Sequence, residues 1–130
     1  MIGLDTNVLL RYLIQDDPAQ SPKATMFIRQ LTVRAPGFVS VIALAELAWV
    51  LERTYRFRRE DVAVTVQRLL ESGALTFENE PQVFAALASS ENGDGALADA
   101  LIGQLGLKAG CLRSVTFDDE ASRLPGFELL

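Results

Sequence analysis

The sequence contains no histidine and a single cysteine. Without imidazole there is no Ser-His or Cys-His nucleophile pair and no histidine-ligated metal centre. One thiol, Cys111, cannot form an internal disulfide, which suits a reducing cytoplasm. Flanked by Gly110 and Leu112, it reads as a small buried apolar side chain. Long hydrophobic runs are missing too: no stretch approaches the about 20 apolar residues of a membrane span. The start has no basic segment leading into an apolar one, so it does not read as a signal peptide. Positive charge is in deficit, with 12 Lys and Arg against 17 Asp and Glu and a net charge of −5. A chain so acidic does not coat nucleic acid by its overall field, although a local basic strip stays open to it.

What is present is ordinary globular material. At 130 residues, 49% hydrophobic and 22% charged, the composition predicts one domain over residues 1–130 with a sizeable core. Ile2 to Leu4 reads as a very short strand and Val8 to Ile14 as a helix. A second helix is predicted over Pro22 to Leu31, with Ser21 as N-cap and Pro22 at the first position. Phe38 to Ser40 follows as a strand, then a helix from Val41 to Thr54 that is apolar almost all round and so expected to be buried. Further helices are expected over Glu60–Glu71, Gln82–Ser89 and Ala96–Lys108, and strands over Ala74–Phe77, Leu112–Phe117 and Phe127–Leu130. Glu91 to Gly95, which includes Gly93, forms a polar loop. Strands alternating with helices predict an α/β fold, a three-layer sandwich whose short, mainly parallel central sheet is flanked by helices.

Four acids stand out against this background. Asp5 and Asp118 end short apolar strands, and Glu46 and Asp99 lie within apolar helices. A buried carboxylate without a partner is costly and either neutralises or finds one. The segments around these acids offer almost no cations. In parallel strands Asp5 and Asp118 emerge at the same sheet edge, so the four are expected to converge on a divalent ion. Oxygen-only ligation favours Mg2+ or Mn2+ over zinc. Crowded carboxylates also raise the pKa of at least one member, so activity is expected to fall in acid and to vanish with a chelator. Each acid has a plainer role open to it. Asp5 could cap a helix, Asp118 could belong to a solvated turn with Asp119 and Glu120, and Glu46 could sit on an exposed face. Asp99 could simply face a close-packed neighbour over Gly103 and Gly106.

The motifs Leu4-Asp5-Thr6-Asn7, Leu44-Ala45-Glu46-Leu47, Ala98-Asp99-Ala100-Leu101-Ile102 and Thr116-Phe117-Asp118 together resemble a PIN-domain ribonuclease. The chain's size is similar to that of VapC-type toxins of bacterial toxin–antitoxin pairs. The resemblance covers essentially the whole chain. It implies that Asp5, Glu46, Asp99 and Asp118 form an acidic metal site and that Thr6, Asn7 and Thr116 orient carboxylates or waters. It departs from the family pattern at Ala96, where many relatives carry a further acid, and at Asp119, where a basic residue is frequent.

The resemblance implies divalent-metal-dependent hydrolysis of RNA phosphodiester bonds. Asp5 and Asp99 are the expected direct ligands, Asp118 completes the shell, and the longer Glu46 ligates through water or takes a proton. The implied partners are an RNA substrate, a small cognate antitoxin and a second copy of the chain. Trp49, Leu51, Tyr55 and Phe57 are candidates for such surfaces, and apolar helix residues more often belong to the core. Arg53, Tyr55, Arg56, Phe57, Arg58 and Arg59 form one basic, aromatic-interleaved stretch that could grip RNA or could be a solvated helix connection. Three other readings compete. An aspartyl phosphatase would want a second Asp where Asn7 stands, and a receiver-like module would need a strand-end lysine. A PIN fold that binds RNA or protein without cleaving is the third.

Overall fold

The computed structural model describes residues 1–92 and 94–130, so Gly93 of the expected polar loop lies outside the described residues. The fold is mixed α/β, in the order β1 (Ile2–Gly3), α1 (Thr6–Leu13), α2 (Gln20–Gln30), β2 (Gly37–Val39), α3 (Val41–Arg53), α4 (Arg59–Leu70), β3 (Leu75–Phe77), α5 (Glu80–Ser90), α6 (Leu97–Lys108), β4 (Ser114–Thr116), a 3-10 turn (Ala121–Arg123) and β5 (Phe127–Leu129). All strand pairs are parallel, as expected where helices separate the strands. The strands form two pieces, β1-β2-β3 and β4-β5. Ile2 registers with Gly37, Phe38 with Thr76, and Thr116 with Leu129. The expectation that Asp5 and Asp118 leave one continuous sheet is therefore corrected, because β1 and β4 are not paired. Only three residues of the predicted strand Leu112–Phe117 join the ladder, and both of its ends, Leu112 and Phe117, are exposed.

The core forms where helix periodicity puts branched aliphatics inside. Leu9, Leu44, Leu47, Leu51, Val66 and Val83 are fully buried. Removing such side chains from water stabilises the fold by about 1.5–3 kcal/mol each. In α3 the buried stripe is Ala43, Leu44, Leu47, Ala48 and Leu51, while Ile42, Glu46, Trp49 and Arg53 face solvent. The helix is thus not buried all round. An apolar composition does not cover a face that has no neighbour; α3 packs against α1, α4 and α6 and buries only the stripe of Ala43, Leu44, Leu47, Ala48 and Leu51. Leu51 is core and not a surface candidate, and Tyr55 and Phe57 lean on the core as well.

The start of α2 also differs from expectation. Ser21 is inside the helix and buried, its hydroxyl donating to the Ile14 carbonyl at 3.1 Å. Asp17 serves the helix start instead, accepting from the N–H groups of Gln20 (2.8 Å) and Ala19 (2.9 Å). Those bonds hold its pKa below the ordinary carboxylate value. Cys111 is exposed, against the expectation of burial, because the chain turns outward after α6 at Gly110, whose φ is 97°. No helix is long and apolar enough to cross a membrane among the described residues.

Two glycines on α6 set how the β4-β5 piece docks. A Cβ at Gly103 would lie 2.8 Å from the Pro125 carbonyl oxygen and 2.8 Å from the Phe127 ring. A Cβ at Gly106 would lie 2.8 Å from the Ser114 hydroxyl. Real Cβ atoms do not approach backbone so closely, so α6 needs glycine at 103 to receive the segment leading into β5, while Gly106 leaves room for the Ser114 hydroxyl of β4. Asp99 stands one turn before Gly103 on the same helix.

Candidate active site

Asp5 follows β1 and is the N-cap residue of α1, with φ −75° and ψ 154°, yet its side chain makes no capping hydrogen bond. The capping role proposed for it is therefore not what holds it there. Next to it, Thr6 is buried and its hydroxyl donates to the Ala43 carbonyl at 3.4 Å. That contact ties the first turn of α1 to the first turn of α3, the helix that carries Glu46. Ser40 caps α3, its hydroxyl accepting from the Ala43 N–H at 3.1 Å. Glu46 is exposed on the solvent stripe of α3.

Asp118 follows β4. One oxygen of its carboxylate, Oδ1, accepts from the Glu120 N–H at 2.8 Å and the Ala121 N–H at 3.4 Å, which starts the 3-10 turn. The Thr116 hydroxyl accepts from the Asp118 N–H at 3.0 Å, so this threonine shapes the loop that presents the acid. Asp99 lies in the first turn of α6. Burial, followed by the negative charge of Asp118, raises its pKa, with the Arg59 guanidinium opposing and Glu120 adding to the rise. The expected raised pKa among the acids is therefore found at Asp99.

The acids thus sit on two neighbouring corners. Asp5 and Glu46 belong to α1 and α3, Asp99 and Asp118 to α6 and the end of β4, and α3 packs against both α1 and α6. The structure brings Asp99 and Asp118 into each other's field. Among the described residues, no three His, Cys, Asp or Glu side chains gather closely enough to hold an ion by themselves. A pair of carboxylates that act on each other, Asp99 and Asp118, is the donor set a hydrated divalent ion such as Mg2+ would use. The all-oxygen donor set points the same way. Asp99 and Asp118 are the residues here that fit such an ion.

Of two further residues near the site, the sequence marked Arg59 only as part of the basic stretch and Glu78 not at all. Arg59, the first residue of α4, bridges Glu120 at 2.6 Å and Glu52 of α3 at 3.4 Å. No pattern in its own segment points to these partners. Glu78 directly follows β3, in the same strand-end position as Asp5, and that pattern could have found it. Its carboxylate accepts from the Val41 N–H at 2.9 Å, so it supports the start of α3. The basic stretch is largely engaged within the chain. Arg53 lies over the Trp49 ring at 5.4 Å, Arg58 pairs with Asp61 at 3.2 Å, and the Tyr55 hydroxyl donates to Asp16 at 3.2 Å. Asn7 lines a cleft of about 520 Å³ beside β1, with Ile2, Val8, Lys23, Ala24 and Phe27, and none of the four acids lines it.

The model of the PIN domain family matches residues 2–126, nearly the whole chain, and the chain belongs to that family. No curated protein sequence matches it. PIN domains are generally nucleases, which places the chain at a coarse level among hydrolases, and they typically use a divalent metal.

Proposed function

We propose that this chain is a divalent-metal-dependent endoribonuclease and the toxin of a toxin–antitoxin pair. The observation that carries this reading is the PIN family match over residues 2–126; Asp99, in the first turn of α6, and Asp118, just after β4, support it because their negative charges act on each other. Such an arrangement is electrostatically unfavourable until a cation joins it. Asp99 and Asp118 hold the ion, with Asp5 and Glu46 contributing from the α1–α3 corner. When bound, Mg2+ or Mn2+ makes water more acidic and neutralises charge developing on the phosphate.

The chain's own groups then divide the work. Thr116 keeps the Asp118 loop in shape, and one Asp118 oxygen stays committed to that loop while the other is left for the ion. Thr6 fixes the angle between the helices that carry Asp5 and Glu46. In this reading Glu46, long and exposed, takes a proton from the attacking water. RNA is the substrate and a small antitoxin the partner that restrains it. A homodimer and action in the cytoplasm belong to the same reading.

The test is cleavage of cellular RNA by the purified chain with Mg2+, with EDTA, and with the Asp5→Asn variant, followed by sequencing of the RNA ends. Discrete new ends that need Mg2+ and disappear with Asp5→Asn are expected. Equal cleavage by the variant would remove Asp5 from the site, and no cleavage by the natural chain at any Mg2+ concentration would sink the nuclease reading.

A further inference from the structure

Arg59 is oddly placed for a residue that serves only its own helix. A cation at the first position of a helix meets the positive end of the helix dipole. The acids that relieve this locally, Glu60 and Asp61, pair with the neighbouring Arg58, at 4.0 and 3.2 Å. Arg59 instead reaches away from α4, to Glu52 on α3 and to Glu120, two residues beyond Asp118. It is also the cation whose field acts on Asp99. One guanidinium therefore joins Glu52 of α3 to Glu120 in the segment after β4, and its field reaches Asp99 of α6.

We propose that Arg59 is a built-in counter-cation of the acidic site, neutralising it in the ion-free protein and competing with the divalent ion that later binds. The guanidinium is permanently charged and forked, so it can hold Glu52 and Glu120 at once. It thereby stitches α3 and α4 to the loop that presents Asp118. The same charge opposes a second cation nearby, which keeps the site from taking up an ion too tightly. The inference rests on the reading of Asp99 and Asp118 as ion ligands.

The test compares the natural chain with Arg59→Gln, Arg59→Lys and Glu52→Gln. Binding of Mn2+ is followed by the electron paramagnetic resonance of the free ion, and melting is measured with EDTA and with Mn2+. Arg59→Gln should melt lower in EDTA and gain more from Mn2+ than the natural chain does. It should bind Mn2+ roughly three- to tenfold more tightly, the effect of one unit charge on a divalent ion at a partly solvated site. Arg59→Lys and Glu52→Gln keep the positive charge and should bind Mn2+ no more tightly than the natural chain. If Arg59→Gln is unfolded in EDTA, Mn2+ should restore its helical circular dichroism, and failure to do so overturns the proposal. A folded Arg59→Gln with natural or weaker Mn2+ affinity also overturns it. If the natural chain binds no Mn2+, the metal reading itself falls, and this role for Arg59 falls with it.

Discussion

The Asp118 carboxylate accepts the Glu120 N–H at 2.8 Å, so a single side chain both opens the 3-10 turn and faces Asp99. These two duties can be separated by substitution. Asparagine keeps a side-chain oxygen for the turn and loses the charge, whereas alanine loses both. Asp118→Ala should therefore cost about 1 kcal/mol of stability, the usual worth of such a cap. For a domain of this size that is a fall of roughly 3–5 °C in melting midpoint. Asp118→Asn should melt near the natural chain, and both variants should lose RNA cleavage. Thermal melts paired with a cleavage assay check this; equal melting of the two variants would mean that the turn does not need the oxygen.

Asp99 predicts a dependence on pH with a definite sign. Its folded pKa is raised, by burial first and by Asp118 second. A carboxyl with a raised folded pKa supports the fold fully below its unfolded pKa, near 3.9, and that support is lost as pH rises through the folded value. At neutral pH without metal, the ionised Asp99 is therefore a burden on the fold. Asp99→Asn should melt higher than the natural chain at pH 7 in EDTA, and the advantage should vanish below about pH 3.9. Saturating Mg2+ should stabilise the natural chain and leave the variant unmoved. Melting curves at both pH values, with and without Mg2+, decide it.

Asp5 is the case where two roles make opposite predictions. Its position is that of an N-cap, but no capping hydrogen bond forms. A working cap replaced by alanine costs roughly 0.5–2 kcal/mol. Asp5→Ala should instead stay within about 0.5 kcal/mol of the natural chain, as surface substitutions usually do. Cleavage should fall by more than the roughly 10–100-fold typical of residues one shell out from a metal. Denaturant unfolding and cleavage kinetics on the same preparation check both halves.

Much of this was legible in the sequence because local signals carried it. The order of helices and strands follows from where apolar periodicity switches from 3.6 to 2, and parallel pairing follows from the helices between strands. From the sequence the four acids are expected to converge; Asp99 and Asp118 lie in each other's field, but among the described residues no three acids gather closely enough to hold an ion. What stayed hidden depends on which surfaces meet. The exposure of Ile42 and Trp49 depends on where α3 lacks a neighbour, and nothing within the helix marks that side. The division of the strands into two pieces depends on how β4 and β5 settle against α6. Arg59 looked like one of several arginines in a basic stretch, since its partners Glu52 and Glu120 lie on other elements. The glycines after Asp99 read as the mark of a close-packed neighbour, and the face they open does receive β4 and β5.

That close packing makes Gly103 a sensitive position, although it touches no acid. A methyl group there would collide with the Pro125 carbonyl and the Phe127 ring, both at 2.8 Å. The carbonyl belongs to the backbone and cannot swing aside as a flexible side chain would. Relief must come from moving β5, and with it β4, outward from α6. Gly103→Ala should therefore destabilise by about 1–3 kcal/mol, the range for overpacking, despite alanine's better helix propensity. Because β4 carries the Asp118 loop, the displacement should also separate Asp118 from Asp99. Cleavage should drop, and the pH-dependent part of the melting difference between Asp99 and Asp99→Asn should shrink in the Gly103→Ala background. Gly110→Ala, on the exposed turn after α6 and clear of neighbouring atoms, supplies the comparison. It should cost stability through its φ of 97° but leave the Asp99–Asp118 coupling intact. If both glycine variants weakened that coupling equally, the docking of β4 on α6 would not be what sets the distance between the two acids.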